Sequence, residues 1–405
     1  MSSTSSNFGA EPRPLRIAIT NGSRSWGGTE HYAVRLAAGL RERGHDVLLL
    51  WGEDLVGERA AAAAVPNRRL RLRADGDIGG MLKLAAALRR HRSDAVVLTK
   101  WREYLLGGIA ARLAGTPLAV VSLGLRVAPR GDIKRRLIFG LADRVIVNAE
   151  EIRASLTLSS WIDPTRVRVV HNGVDLARLR PGGDRHAFRH ALGVPAAAPL
   201  VLAVGNLTPQ KDHDLLVRAA ARVVAARPGA WFVVAGEGFL RTSLEERVRE
   251  LGLAERFLLP GFVRDVPAAL AAADLFVLSS SNEGMPWALL EALACGAPVV
   301  ATDVPGTRAC VEEGVNGFIV PAGDEAALAT VVIRLLDDPG SRARMGAHSR
   351  ALAEARFAEA GMIDGTLAAL REALEHPRRG MRAPARSARA ETRPAGSSSG
   401  RPDGA

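Results

Sequence analysis

Short apolar runs alternate with amphipathic stretches along most of this chain. Residues 15–20 read as a buried strand, residues 21–28 as a polar loop, and the spacing predicts a helix over about 29–43, with Gly44 as its stop. Strand 46–51, helix 77–91, strand 94–99, helix 102–114, strand 117–121, helix 132–141, strand 143–147, helix 149–157 and strand 167–170 continue the alternation. That pattern is expected of a doubly wound α/β domain. Residues 177–199, with Pro181, Gly182, Gly183, Pro195 and Pro199, interrupt it as a linker and a short helical segment. A second series follows: strand 200–204, helix 212–226, strand 231–235, helix 240–251, strand 256–259, helix 265–272 and strand 274–278. After strand 317–320 the chain is expected to be helical from 324 to about 374, its last helix returning to the first domain. The expected division is a disordered start at 1–13, Rossmann-like domains at 14–180 and 181–356 facing across a cleft, a bracing helix at 357–376 and a disordered tail at 377–405.

Composition narrows the function classes. Of 405 residues, 47% are hydrophobic and 24% charged, ordinary values for a soluble globular protein with two substantial cores. The net charge is +11, of which residues 377–405 contribute +5 through seven arginines set against Glu391 and Asp403. A basic body fits nucleic acid, an anionic membrane or phosphorylated substrates. Aromatics are only 4% and interleave with no basic motif, so nucleic acid is not expected as a partner. Cys295 and Cys310 lack metal-ligand spacing and are expected as reduced thiols. The amino terminus has no apolar signal core, and no apolar run is long enough to span a bilayer, so a cytoplasmic protein is expected, peripheral to the membrane at most.

The chemistry concentrates in residues 279–306. Residues 274–278 and 298–301 read as strands, so the segment is one βαβ unit, and its loop at 279–286 lies where such units place ligands. Glu283 and Glu291 stand eight positions apart. Gly284 permits close backbone approach, Pro286 suits a helix start, and the amides of a helix start suit phosphate. Two separated carboxylates flanking such a site accept hydrogen bonds from two polyols, which describes a nucleotide sugar. A capping Glu followed by a solvated helical Glu is the bland alternative. Gly27 and Gly28 open the first helix where doubly wound folds bind phosphate, but GSRSWGG is not GxGxxG, which argues against a nicotinamide dehydrogenase.

Several segments in order resemble glycosyltransferase family 4, the retaining family with the GT-B fold. They are GGTEHYAVRLAAGLRERGHDV, VVHNGVDLARL, VGNLTPQKDHDLLVRA, VVAGEG, LPGFVRDV, AADLFVLSS and the E-x7-E segment. The resemblance spans about residues 15–357. It implies that Glu283 contacts donor-sugar hydroxyls, that Gly284, Met285 and Pro286 approach sugar and diphosphate, and that Glu291 binds the ribose. It further implies that Lys211 neutralises the diphosphate beside Asn206, that Gly28 with Gly27 faces the same phosphates, and that Phe262 and Val263 lie near the base.

Three positions depart from the family pattern. Asn206 stands where many relatives carry Arg, the segment 121–126 lacks a histidine common after that strand, and Ala309 replaces a common glutamate. Ser122 and Arg126 are the candidate replacements on the acceptor side, near Lys100, Arg102 and Tyr104. The implied reaction moves a hexosyl group from a nucleotide diphosphate sugar to a saccharide or lipid-linked acceptor with retention, by a front-face route, in cell-envelope polysaccharide or lipopolysaccharide synthesis. No cofactor or metal is implied: Asp212-His213-Asp214 imitates a metal motif, but Asp212 reads as a helix cap. A nucleotide-sugar epimerase and a non-catalytic nucleotide-sugar binder are the open alternatives. The segment GDIKRRLIF mixes cations with apolar residues, which fits contact with an anionic membrane or a solvated basic face.

Overall fold

The computed structural model describes residues 13–22, 26–70, 72–74, 76–126, 132–159 and 162–376. The expected disordered tail, and all but Arg13 of the expected disordered start, lie outside the described residues.

The described residues build two parallel sheets. The first contains β1 (Arg16–Asn21), β2 (Asp46–Trp51), β3 (Asn67–Arg69), β4 (Ala95–Leu98), β5 (Leu118–Leu123), β6 (Arg144–Val147) and β7 (Val167–Val169) in the order β3-β2-β1-β4-β5-β6-β7. The second contains β8 (Leu200–Val204), β9 (Trp231–Ala235), β10 (Phe257–Gly261), β11 (Leu275–Leu278), β12 (Val299–Thr302) and β13 (Gly317–Val320) in the order β10-β9-β8-β11-β12-β13. Runs such as AVVL in β4 and LFVL in β11 are buried on both faces, which is why they read as unbroken apolar segments.

Helices cover both faces of each sheet. Around the first lie α1 (Gly28–Glu42), α2 (Asp54–Ala62), α3 (Ile78–His91), α4 (Trp101–Ala114), α5 (Ile133–Leu141) and α6 (Glu150–Thr157). Around the second lie α7 (Arg185–Ala191), α8 (His213–Ala226), α9 (Arg241–Glu250), α10 (Val266–Ala272), α11 (Trp287–Ala294), α12 (Thr307–Cys310), α13 (Glu325–Asp337) and α14 (Pro339–Arg356). The chain ends in α15 (Glu359–Glu375). Met362, Ile363 and Leu370 of α15 join Leu36 and Leu40 of α1 in one buried cluster, and Glu359 pairs with Arg35. Cys295 and Cys310 are free, and burial pushes both thiols up to about 12, which makes them poor nucleophiles.

One part of the first domain differs from the sequence reading. Helix α2 and strand β3 were not expected, because DLVGERAAA buries only Val56, Gly57 and Ala60, while the edge strand is the polar triplet NRR. The helical stretch expected over 324–374 is divided into α13, α14 and α15. Asp338 caps α14 through the Ser341 amide and Pro339 brings no N–H, so the chain turns there. It breaks again where Val174 donates to the Phe357 carbonyl at 2.8 Å and its own carbonyl accepts from the Glu359 amide at 3.0 Å.

Candidate active site

In each sheet the strand order reverses beside the first strand of the domain, between β1 and β4 and between β8 and β11. Loops leaving the carboxyl ends of such a pair diverge to opposite faces and open a crevice. The loop after β8 carries Asn206 and Lys211; the loop after β11 carries Glu283. Their backbones are joined, since the Ser281 amide donates to the Gln210 carbonyl at 2.9 Å and the Ser279 hydroxyl to the Lys211 carbonyl at 2.9 Å.

Here two sequence candidates meet directly. Lys211 Nζ lies 2.5 Å from Glu283 Oε1, which also accepts from the Ser280 hydroxyl at 2.8 Å, while Gln210 Nε2 reaches Oε2 at 3.4 Å. Glu283 is only 6% exposed and Ser280 fully buried, so the ion pair sits in a low-dielectric wall. The lysine stem folds over Gly205, where a Cβ would stand 3.2 Å from Lys211 Cδ and Cε. Asp212 caps α8 through the Leu215 amide at 3.3 Å, in keeping with its reading as a cap.

Helix α11 begins after Pro286, an extended N-cap residue, and Glu291 is its fifth residue. The acid therefore sits just past one helical turn from the start of α11. Burial pushes its carboxyl up to about 7, against the pull of Arg178. A carboxyl raised from its ordinary 4.5 favours the folded state fully below pH 4.5 and loses that contribution as pH rises through 7. Glu291→Gln removes the penalty of ionisation. The stability difference in favour of the variant should grow between pH 4.5 and about 7.5 by no more than about 3 kcal/mol, read by denaturant unfolding without ligand.

The first domain closes over this wall. Trp287 lies against Gly28, where a Cβ would stand 2.7 Å from its Cδ1, and its ring is 4.6 Å from that of His31. Burial, then Arg35, Arg59 and Arg178, hold His31 down at about 4, so it is neutral at pH 7. A Cβ on Gly284 would collide with the Gly124 carbonyl oxygen, and one on Gly306, at φ 78°, with the Gly284 carbonyl oxygen. Asn172 Nδ2 donates to the Met285 carbonyl at 2.9 Å, Asn206 Nδ2 to the Trp26 carbonyl at 3.4 Å, and the Gly306 amide to Glu151 Oε2 at 3.4 Å. Gly27 sits between Glu30 and Asn206.

The remaining candidates lie further out. Phe262 is 57% exposed after Gly261, and Val263 is half-buried. The Ser122 carbonyl accepts from the Tyr104 hydroxyl at 2.6 Å. Arg126 Nε approaches the Ser155 hydroxyl at 3.4 Å and lines a groove of about 450 Å³ with Glu151, Val304, Pro305 and Arg308. Ser280, Asn148, Glu151 and Asn172 were not assigned site roles from sequence, although Asn172 lies in the quoted VVHNGVDLARL.

The family model described as Glycosyltransferase Family 4 matches residues 26–178, and that described as Glycosyl transferases group 1 matches residues 184–352. A D-inositol 3-phosphate glycosyltransferase of Salinispora arenicola is 32% identical over 393 residues, covering 84% of this chain and 88% of that one. The chain belongs to the family 4 glycosyltransferases. Another relative, the UDP-Gal:alpha-D-GlcNAc-diphosphoundecaprenol alpha-1,3-galactosyltransferase of Escherichia coli, is 28% identical over 300 residues, covering 70% of this chain and 77% of that one. The fold matches Anabaena HepE solved in complex with UDP-glucose, with a TM-score of 0.79 at 23% identity, covering 88% of this chain and 99% of that one. The architecture of this glycosyltransferase is thus GT-B, and the joined loops after β8 and β11 lie in the carboxyl-terminal half of that fold.

Proposed function

We propose that this glycosyltransferase moves a hexosyl group from a nucleotide diphosphate sugar to a saccharide or lipid-linked hydroxyl, retaining the anomeric configuration, in cell-envelope glycan synthesis at the inner face of the cytoplasmic membrane. The Lys211–Glu283 pair, partly buried at the loops that flank the switch point of the second sheet, carries the reading. Glu283 orients the sugar through its hydroxyls, and Lys211 meets the negative charge that develops on the departing diphosphate. Glu291 takes the ribose hydroxyls, Gly27 and Gly28 approach the phosphates from the first domain, and Phe262 and Val263 flank the base. Ser122 and Arg126 belong to the acceptor side. In the front-face reaction the bond from the anomeric carbon to the phosphate oxygen breaks as the bond to the acceptor oxygen forms on the same face. The acceptor proton passes to the leaving diphosphate.

Uridine diphosphate hexoses are the first donors to test, given the ligand of HepE and the activity of the Escherichia coli relative. A thermal-shift panel of UDP-, GDP- and ADP-sugars should show the largest stabilisation with one UDP-sugar, because a ligand that binds only the folded state raises its stability. A flat panel would contradict the donor-clamp reading. Lys211 supplies the charge that a metal supplies elsewhere, so chelation with EDTA should leave the transfer rate within about twofold; a rate restored only by added divalent cation would contradict this.

A further inference from the structure

We propose that the cleft-side ends of α3, α4 and α5 form a docking face for an anionic phospholipid bilayer. Both sheets are parallel, so each helix returns antiparallel to its strands and begins at their carboxyl edge. The first turns of α3, α4 and α5 therefore stand at the edge where β5 delivers Gly124 to the contact with Gly284. The three helices pack side by side over one face of the first sheet, and Leu84, Ala110 and Ile138 share its core.

Their outward side chains reverse the usual pattern of a solvated helix. On α5, Ile133 and Leu137 are 79% and 52% exposed, with exposed Arg136 between them, while Ile138 and Phe139 turn inward. Residues three and four apart share one helical face, so these three make one outward stripe. On α3, Ile78 and Leu82 repeat the spacing at 63% and 54% exposure. Such a patch on a soluble surface marks an interaction site.

Charge selects the occupant. The three helices contain a single carboxylate, Glu103, which is buried and accepts from the Thr20 hydroxyl and the Gly22 amide. Among the described residues, the aspartates that start α3 and α5, Asp77 and Asp132, are helix caps bonded to the amides of Gly80 and Arg135. Lys83, Arg102 and Arg136 thus border the apolar side chains with little opposing charge. A second copy of the chain would set this cationic surface against itself. Anionic headgroups complement it, and the apolar side chains enter the boundary between headgroups and acyl chains. The face gives the transferase proposed above access to a lipid-linked acceptor; its existence does not depend on that reading.

Flotation of the full-length chain with phosphatidylcholine vesicles, with and without phosphatidylglycerol, tests the proposal. Binding should require phosphatidylglycerol and fall with added salt. Arg136→Glu and the double variant Ile133→Ser/Leu137→Ser should each weaken it by about tenfold or more, with unfolding midpoint and transfer to a soluble acceptor unchanged. Wild-type binding in the double variant would overturn the proposal and point to the basic tail instead. So would equal binding to pure phosphatidylcholine, no binding at all, or a dimer in light scattering that the double variant dissociates. Vesicle binding by a protein that transfers no sugar would uphold the docking face and overturn the transferase reading, which keeps the two failures distinct.

Discussion

Lys211→Met should lower kcat by about 10²–10³ while leaving the protein folded, because it removes positive charge from the place where the leaving diphosphate becomes more negative. Methionine keeps most of the stem that folds over Gly205, so the change is one of charge more than shape. Glu283 would still accept from Ser280, and Gln210 would remain at 3.4 Å, so its carboxylate keeps polar neighbours. A raised KM with unchanged kcat would mean that Lys211 binds donor and transition state equally. Steady-state rates with saturating donor decide between the two, and unchanged kcat would remove Lys211 from the catalytic machinery.

Gly284→Ala should cost about 10² or more in rate by a different route. The added Cβ would run into the Gly124 carbonyl oxygen and would lie 2.6 Å from Asn148 Oδ1, both in the first domain. Backbone on that side cannot yield as a flexible side chain can, so the loop bearing Glu283 must shift or the domains must part. A displacement of about 1 Å at reacting atoms can cost 10²-fold. Because the strain falls between domains and not within a core, the unfolding midpoint should move less than for a core overpacking of about 1–3 kcal/mol. Single-turnover rates with calorimetry on the same preparation test this. Near-wild-type turnover would show that the closed contact is not the productive geometry.

The two sheets were legible because parallel strands buried on both faces leave unbroken apolar runs, as in β4 and β11. The polar edge strand β3 and the alanine-rich α2 carried no such signal. The candidate residues Gly284, Glu283, Glu291 and Lys211 could be picked out one by one from the sequence, but not their arrangement. Lys211 and Glu283 are 72 positions apart, and their contact depends on two loops meeting beside the strand reversal between β8 and β11. The contributions of Asn148, Glu151 and Asn172 depend on how one domain is set against the other, which hydrophobic periodicity does not encode. The raised pKa of Glu291 likewise follows from burial that spacing alone leaves open.

The most direct measurement is proton NMR of the reaction with the nucleotide sugar that stabilises the protein most, in the presence and absence of a saccharide acceptor. The account predicts nucleoside diphosphate release coupled to a new glycosidic anomeric signal with the configuration of the donor, and loss of that signal in Glu283→Ala. An inverted anomeric product, or full conversion of the donor to an epimer without any acceptor, would contradict it.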